Sequence, residues 1–269
     1  MFITFGRRYI WKNLMIIFKC SFYFRLTFIT ISFLFCNSLI AGTYYIGTED
    51  IEYYPHYGKS SANSYEFEGF ARLFFDDFSI KKDVSIEYVP LPIKRLYFSL
   101  LVKQSIDLKY PDSPHWNSIE KTETNEKAYY SKPIVDYFDG IFVHSDNAHI
   151  TLGEVKILGI IRGFTPEPFR YEINNKTINV IEYSRSDHLL MALEAKRIDA
   201  IYINIDVAKF QMTNKSIANL VFREDLPNTK GTYHISTLKH PEIINLIDQY
   251  IDENSLFIAE LVQKLQLTY

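Results

Sequence analysis

The chain has only two cysteines in 269 residues, and both, Cys20 and Cys36, lie before residue 42. Everything after that point therefore has no disulfide, no catalytic thiol and no cysteine-based metal site. Glycine is scarce too, with ten residues. None of them forms a Walker loop, a Gly-x-Gly-x-x-Gly turn or a Gly-x-Ser-x-Gly elbow, which removes the commonest nucleotide-binding and acyl-transfer signatures. There is no His-Glu-x-x-His. The seven histidines (His56, His115, His144, His149, His188, His234, His240) are scattered, and the pair His144/His149 lacks a third ligand at metal-site spacing. No metal and no cofactor are expected.

What is present is apolar and aromatic: 47% of residues are hydrophobic and 23% charged, the proportions of a chain able to build one large or two modest cores. The first 41 residues stand apart, with five basic residues (Arg7, Arg8, Lys12, Lys19, Arg25) and no acidic one. After Arg25 comes LTFITISFLFC, eleven apolar-rich residues, then Asn37-Ser38 and Ala41-Gly42. This order matches the basic, apolar and small-residue regions of an export signal, and the run is shorter than the roughly 20 residues of a membrane span. An uncleaved anchor over Leu14 to Ile40 and a lipoprotein signal ending at Cys36 are the alternatives. Met15 makes a better-proportioned start than Met1. Export into the periplasm is expected, and the absence of later cysteines fits that compartment. Beyond residue 41, twenty-four basic residues face thirty-two acidic ones, which argues against a general affinity for nucleic acid or anionic membrane.

From Thr43 onward strands and helices alternate. TYYIGT (43–48) reads as a buried strand. In YEFEGFARLFFDDFSI (65–80), Phe67, Phe70, Ala71, Phe74, Phe75 and Phe78 recur at three and four, the helix period. VSIEYVPL (84–91) alternates as a strand, IKRLYFSLLVKQS (93–105) returns to helix, and IDLKY is a short strand. A second unit repeats the grammar with strands at 139–144 and 155–163, a helix at 186–197 and a strand at 198–203, before two amphipathic helices close the chain. Alternation of this kind implies an α/β fold with helices on the faces of a sheet.

Four stretches sit at the carboxyl ends of these strands, where open α/β sheets place their ligand crevices. They are IEYYPHYG after the first strand and Glu49, YPDSPHW (110–116) after IDLKY, IRGFTPEP (161–168), and Asn204 with Asp206 after IDAIYI. Each taken alone is consistent with loop packing; four across two units imply a cleft.

The order of motifs resembles the type II periplasmic solute-binding proteins, the extracellular solute-binding family 3 that serves polar amino-acid uptake. The resemblance rests on YYPHYG, EGFARLFFDDF, LLVKQSIDL, YYSKPI (129–134), LGIIRGF and AKRIDAIYIN, and covers roughly residues 43 to 265. It implies a two-lobed fold, each lobe a mixed sheet flanked by helices, joined by a two-stranded hinge. Lobe 1 would comprise 43–138 plus 226–269, and lobe 2 139–225. It also implies a monomer that binds a small molecule and works with an inner-membrane ABC permease or a sensor kinase.

Three positions depart from the family pattern. Where members carry a carboxylate-binding arginine, seven residues before Ser131, this chain has Thr124. Phe164 follows Gly163 where a threonine is usual, with Thr165 one place later, and the ammonium-binding aspartate falls on Asn204. A site without a fixed cation opposite a fixed anion is a poor match for a standard α-amino acid. The expected ligand contacts are then Tyr53, Tyr54 and Tyr57 as an aromatic wall with Trp116, and Glu49, Asp112, Arg162, Thr165 and Asn204 as polar contacts, Arg162 standing in for the missing arginine. The competing readings are an enzyme on the same scaffold, a lyase or glycan-cleaving one with Glu49 or Glu68 as acid or base, and a sensor lobe that binds nothing.

Overall fold

The computed structural model describes residues 42–58, 66–116 and 127–268. The expected export segment, with Met15, Cys20 and Cys36, lies outside the described residues, as does Thr124. No described helix is long and apolar enough to cross a membrane.

Strand β1 (Thr43–Glu49) leads into a hairpin of two short strands, β2 (Glu52–Tyr53) and β3 (Tyr57–Gly58), and then into helix α1 (Phe70–Lys82). The phenylalanine spacing of α1 works as its period requires: Phe70, Phe74, Phe75 and Phe78 are all fully buried. Each such ring stabilises the fold by about 1.5–3 kcal/mol through burial. The helix begins later than the apolar pattern, because Gly69 sits at φ 87° with its Cα so near Pro55 O that an added Cβ would lie 2.7 Å away. Only glycine tolerates that turn. The helix ends at Asp83, in the left-handed region, after Lys81 and Lys82 have placed positive charge at its carboxyl end.

Strand β4 (Ser85–Leu91), helix α2 (Ile93–Leu101) and strand β5 (Leu108–Asp112) complete the first half, with β4 and β5 both parallel to β1. After the short β6 (Tyr129–Tyr130), the long β7 (Val135–His144) opens the second half. There follow β8 (Ile157–Ile161), helix α3 (Arg170–Asn174), β9 (Asn179–Tyr183), helix α4 (Ser186–Glu194), β10 (Ala200–Asn204), helix α5 (Ile205–Asn214) and β11 (Leu220–Arg223). Strand β12 (Thr229–Thr237) then returns to the first half, where α6 (Pro241–Glu253) and α7 (Ser255–Lys264) pack on α1.

The strand order is β4-β1-β5-β12-β7-β10-β8-β9. Strand β12 is the bridge: Thr229 to Tyr233 pair antiparallel with β7, while His234 and Ser236 pair with β5 across a register shift. Both halves are mixed, since β8 is parallel to β9 and β10 while β7 runs antiparallel to β10 and β11. This is a mixed α/β fold of two sheet halves, and Thr43–Tyr269 forms one compact unit.

One local expectation fails. Tyr110, Pro111 and Asp112 belong to strand β5, not to a loop beyond it. The reason is long-range: Asp112 pairs in register with His234, and its carboxylate accepts from Ser236 Oγ at 2.6 Å.

Candidate functional site

The carboxyl end of β1, the amino-terminal face of α2 and the loop after β8 meet over the β7–β12 pair and enclose a cavity of about 690 Å³. Helix α2 presents Ile93, Lys94, Tyr97, Phe98, Leu101 and Val102, which is one face at helical spacing. Opposite them stand Gly163, Phe164, Thr165 and Glu167. The floor comes from Glu49, Tyr57, Tyr137, Asp139, Tyr202, Thr229 and Tyr233, with Trp116 at one side. Gly163 holds the two walls together: it adopts φ 89°, and an added Cβ would stand 3.2 Å from Ile93 Cβ.

The walls are largely aromatic. Tyr137 and Tyr233 stack at 4.7 Å, and Trp116 lies 5.8 Å from each. Two carboxyl groups interrupt this surface. Glu49 is buried and accepts a 2.6 Å bond from the Tyr57 hydroxyl. Burial raises its pKa, against the pull of Lys109 and of that hydroxyl. Asp139, in mid-strand on β7, is pushed up to about 7: burial is the main cause, Glu49 and Asp206 add like charge, and the Asn204 side chain opposes. Asn204 faces Asp139 in register across β7–β10, yet neither Asn204 Nδ2 nor Asp139 Oδ1 reaches hydrogen-bond geometry with any described residue.

Lys109 is completely buried next to the cavity and does not line it. Its ammonium donates to Pro111 O at 2.5 Å, lies 3.6 Å from Asp112, and sits over the rings of Tyr97 and Trp116 at 4.5 and 5.6 Å. Such a cation braces the wall and softens the field at Glu49.

Of the residues singled out in the sequence, Glu49, Tyr57, Trp116 and Thr165 line the cavity. The others are elsewhere. Tyr53 is buried between Tyr57 and Phe164, its hydroxyl accepting from Asn204 N at 3.3 Å. Tyr54 packs on Phe210 of α5 at 4.5 Å. Asp112 is held in the Lys109–Ser236 network, and Asn204 caps α5, accepting from the amides of Asp206 and Val207. Arg162 extends to the surface, two-thirds exposed and 3.9 Å from Glu182. Glu68, the alternative acid, is not in the lining. The sequence reading missed Asp139, Tyr137, Tyr202 and Tyr233 because it looked at loops; the available signal was a carboxylate inside an apolar strand, DYFDGIFV. Among the described residues no group of three or more His, Cys, Asp and Glu is placed to hold a metal.

No protein-family model matches the sequence, and a search of curated proteins finds no match. Solved structures do match. An ancestral arginine-binding protein bound to arginine aligns over 83% of this chain and 98% of its own, with a TM-score of 0.67 at 19% identity. The chain shares its two-lobed fold. The substrate-binding protein of an amino acid ABC transporter matches over 83% and 99%, with a TM-score of 0.65 at 18% identity. An arginine periplasmic binding protein from Legionella pneumophila matches over 83% and 99%, with a TM-score of 0.63 at 17% identity. At these identities the likeness is one of fold, the type II periplasmic-binding-protein architecture.

Proposed function

We propose that this protein is a solute-binding protein, exported to the periplasm, that closes two lobes on a small molecule held in the cavity between α2 and the β7–β12 floor. The observation that carries this reading is the position of the cavity: it takes walls from both sheet halves, so a ligand touching both favours the closed arrangement by its difference in affinity for open and closed forms. The lobes are drawn as 43–138 plus 226–269 and 139–225, with the hinge at β12 and at the crossing into β7. A monomer delivering its ligand to an ABC-type permease, or reporting it to a sensor kinase, suits this arrangement. Two of the structural neighbours are named for arginine and one for amino-acid transport, which supports a nitrogen-bearing ligand.

A thermal-shift screen of the protein without residues 1–41 tests the reading, using amino acids, amines, nucleobases and small carboxylates. Stabilisation by at least one class, without chemical change in the ligand, is the expected result. Turnover would favour the enzyme reading instead, with Glu49 as its acid, and a complete absence of shifts would leave a lobe that binds nothing.

A further inference from the structure

Two carboxyl groups, Glu49 and Asp139, line the cavity, and among the described residues no cation is bonded to either. Glu49 has the Tyr57 hydroxyl and, at a distance, Lys109. Asp139 has neither: the charged groups acting on it are the carboxylates Glu49 and Asp206, and its Oδ1 is enclosed and without a hydrogen-bond partner among the described residues. Carboxylates placed this way are stable in proteins when a cation meets them.

The cations nearby are already committed or point elsewhere. Lys109 is bonded to Pro111 O and faces Asp112 behind the Tyr97 and Trp116 rings. Arg162 reaches out to Glu182. Among the described residues Lys94 is the one basic residue in the lining, and it is exposed, at the first turn of α2. Among the described residues the cavity thus offers carboxyl groups and aromatic rings, and no guanidinium to receive a carboxylate. Stacked Tyr137 and Tyr233, with Trp116 against both, line the cavity together with Asp139, and aromatic rings beside a carboxyl group are surroundings that attract an organic ammonium ion.

We propose that the ligand is a small organic amine lacking an α-carboxylate, its ammonium group held by Asp139 and Glu49 and its carbon skeleton by the tyrosine and tryptophan rings. This rests on the solute-binding reading above and narrows it. The ammonium group supplies the missing counter-charge, so binding of the amine and loss of the Asp139 proton are linked. An amino acid would bring an additional anion into a cavity whose enclosed groups are already acidic.

Calorimetric titration with matched pairs that differ only by the carboxylate tests this: tyramine against tyrosine, agmatine against arginine, and cadaverine against lysine. At least one amine should bind about tenfold or more tightly than its parent amino acid. Asp139→Asn should weaken that amine by about thirtyfold or more, and Glu49→Gln should weaken it as well. The comparison of pairs uses the unaltered protein, so it stands even if a variant folds poorly. Tighter binding of every parent amino acid would overturn the proposal by showing a carboxylate site. Stabilisation by nucleobases or carboxylates alone would also overturn it, while leaving the solute-binding reading intact; silence across the whole panel would remove both.

Discussion

Asp139→Asn should make the ligand-free protein more stable, and by an amount that grows with pH. In the unfolded chain an aspartate loses its proton near 3.8; in the folded protein Asp139 holds its proton up to about 7. Between those values the folded state binds more protons than the unfolded one, so stability falls as pH rises across the window and levels off above it. Linkage puts the cost of this one carboxyl at ~4 kcal/mol near pH 8, of which somewhat less than half is already present near pH 5. Asparagine does not titrate, so roughly 2–3 kcal/mol of relative stabilisation should develop between those two conditions.

Any pH-independent effect of the substitution, such as a new contact with Asn204, cancels in that difference. For a domain of this size 1 kcal/mol moves Tm by about 2–4 °C, so the gap between variant and parent should widen by roughly 5–10 °C. Water entering the cavity lowers the penalty; with half of it lost, the gap still widens by about 3–5 °C. Differential scanning fluorimetry on both proteins at the two pH values is sufficient. A gap constant to within about 1 °C would refute the claim that Asp139 is held protonated by its surroundings.

Three further perturbations follow from the packing. Lys109→Met removes the cation beside Asp112 from a fully buried network and should cost about 3–5 kcal/mol, read as a lower urea midpoint; a neutral result would mean that the ammonium is not paired in solution. Phe74→Ala empties a position ringed by Phe70, Phe75 and Tyr250 and should cost about 3–5 kcal/mol in the same assay. Arg162→Ala should leave the affinity for whichever solute the screen finds within about twofold, because the guanidinium faces solvent. A large loss there would place this arginine in the cavity when the ligand is bound.

Much of the fold was legible because its segments keep a clean period. The phenylalanines of α1 and the alternating residues of β4 report their partners locally. Strand β12 does not: TKGTYHIST mixes glycine, lysine and threonine, and its extended form is fixed by pairing with β5 and β7, segments distant in the sequence, as in Thr229 with Asp139 and His234 with Asp112. Strand β9 is similar, with most of its side chains partly or fully exposed, so no apolar stripe marks it. The site divides the same way. Glu49 at the end of β1, and Trp116 and Thr165 after β5 and β8, are singled out by position alone and line the cavity. Asp139 and Tyr137 lie two apart on one face of β7, and which face of a strand meets the cavity is decided only when β12 crosses between the halves.

The tyrosine-rich turn IEYYPHYG shows what local composition leaves open. Two of its three tyrosines face the second half of the sheet rather than the cavity: Tyr53 meets Phe164 and Asn204, Tyr54 meets Phe210, and the Glu52 carbonyl accepts from Ser186 Oγ at 2.9 Å, while Tyr57 turns to the cavity and Glu49. His56, fully buried, stands 3.3 Å from Asp206, whose carboxyl is pushed up by burial but held below its usual range by His56 and by Thr268 near the chain's end. This turn is a seam between the halves, contributing the ordinary ~1.5–3 kcal/mol per buried ring. The carboxyl at Asp139 works in the opposite direction by a similar amount. A protein that lines its cavity with an acid of raised pKa needs such a seam to offset the cost and hold the walls in register. Stability and cavity lining are therefore divided among the tyrosines: Tyr53 and Tyr54 secure the halves, Tyr137, Tyr202 and Tyr233 line the cavity with Asp139, and Tyr57 joins the two sets.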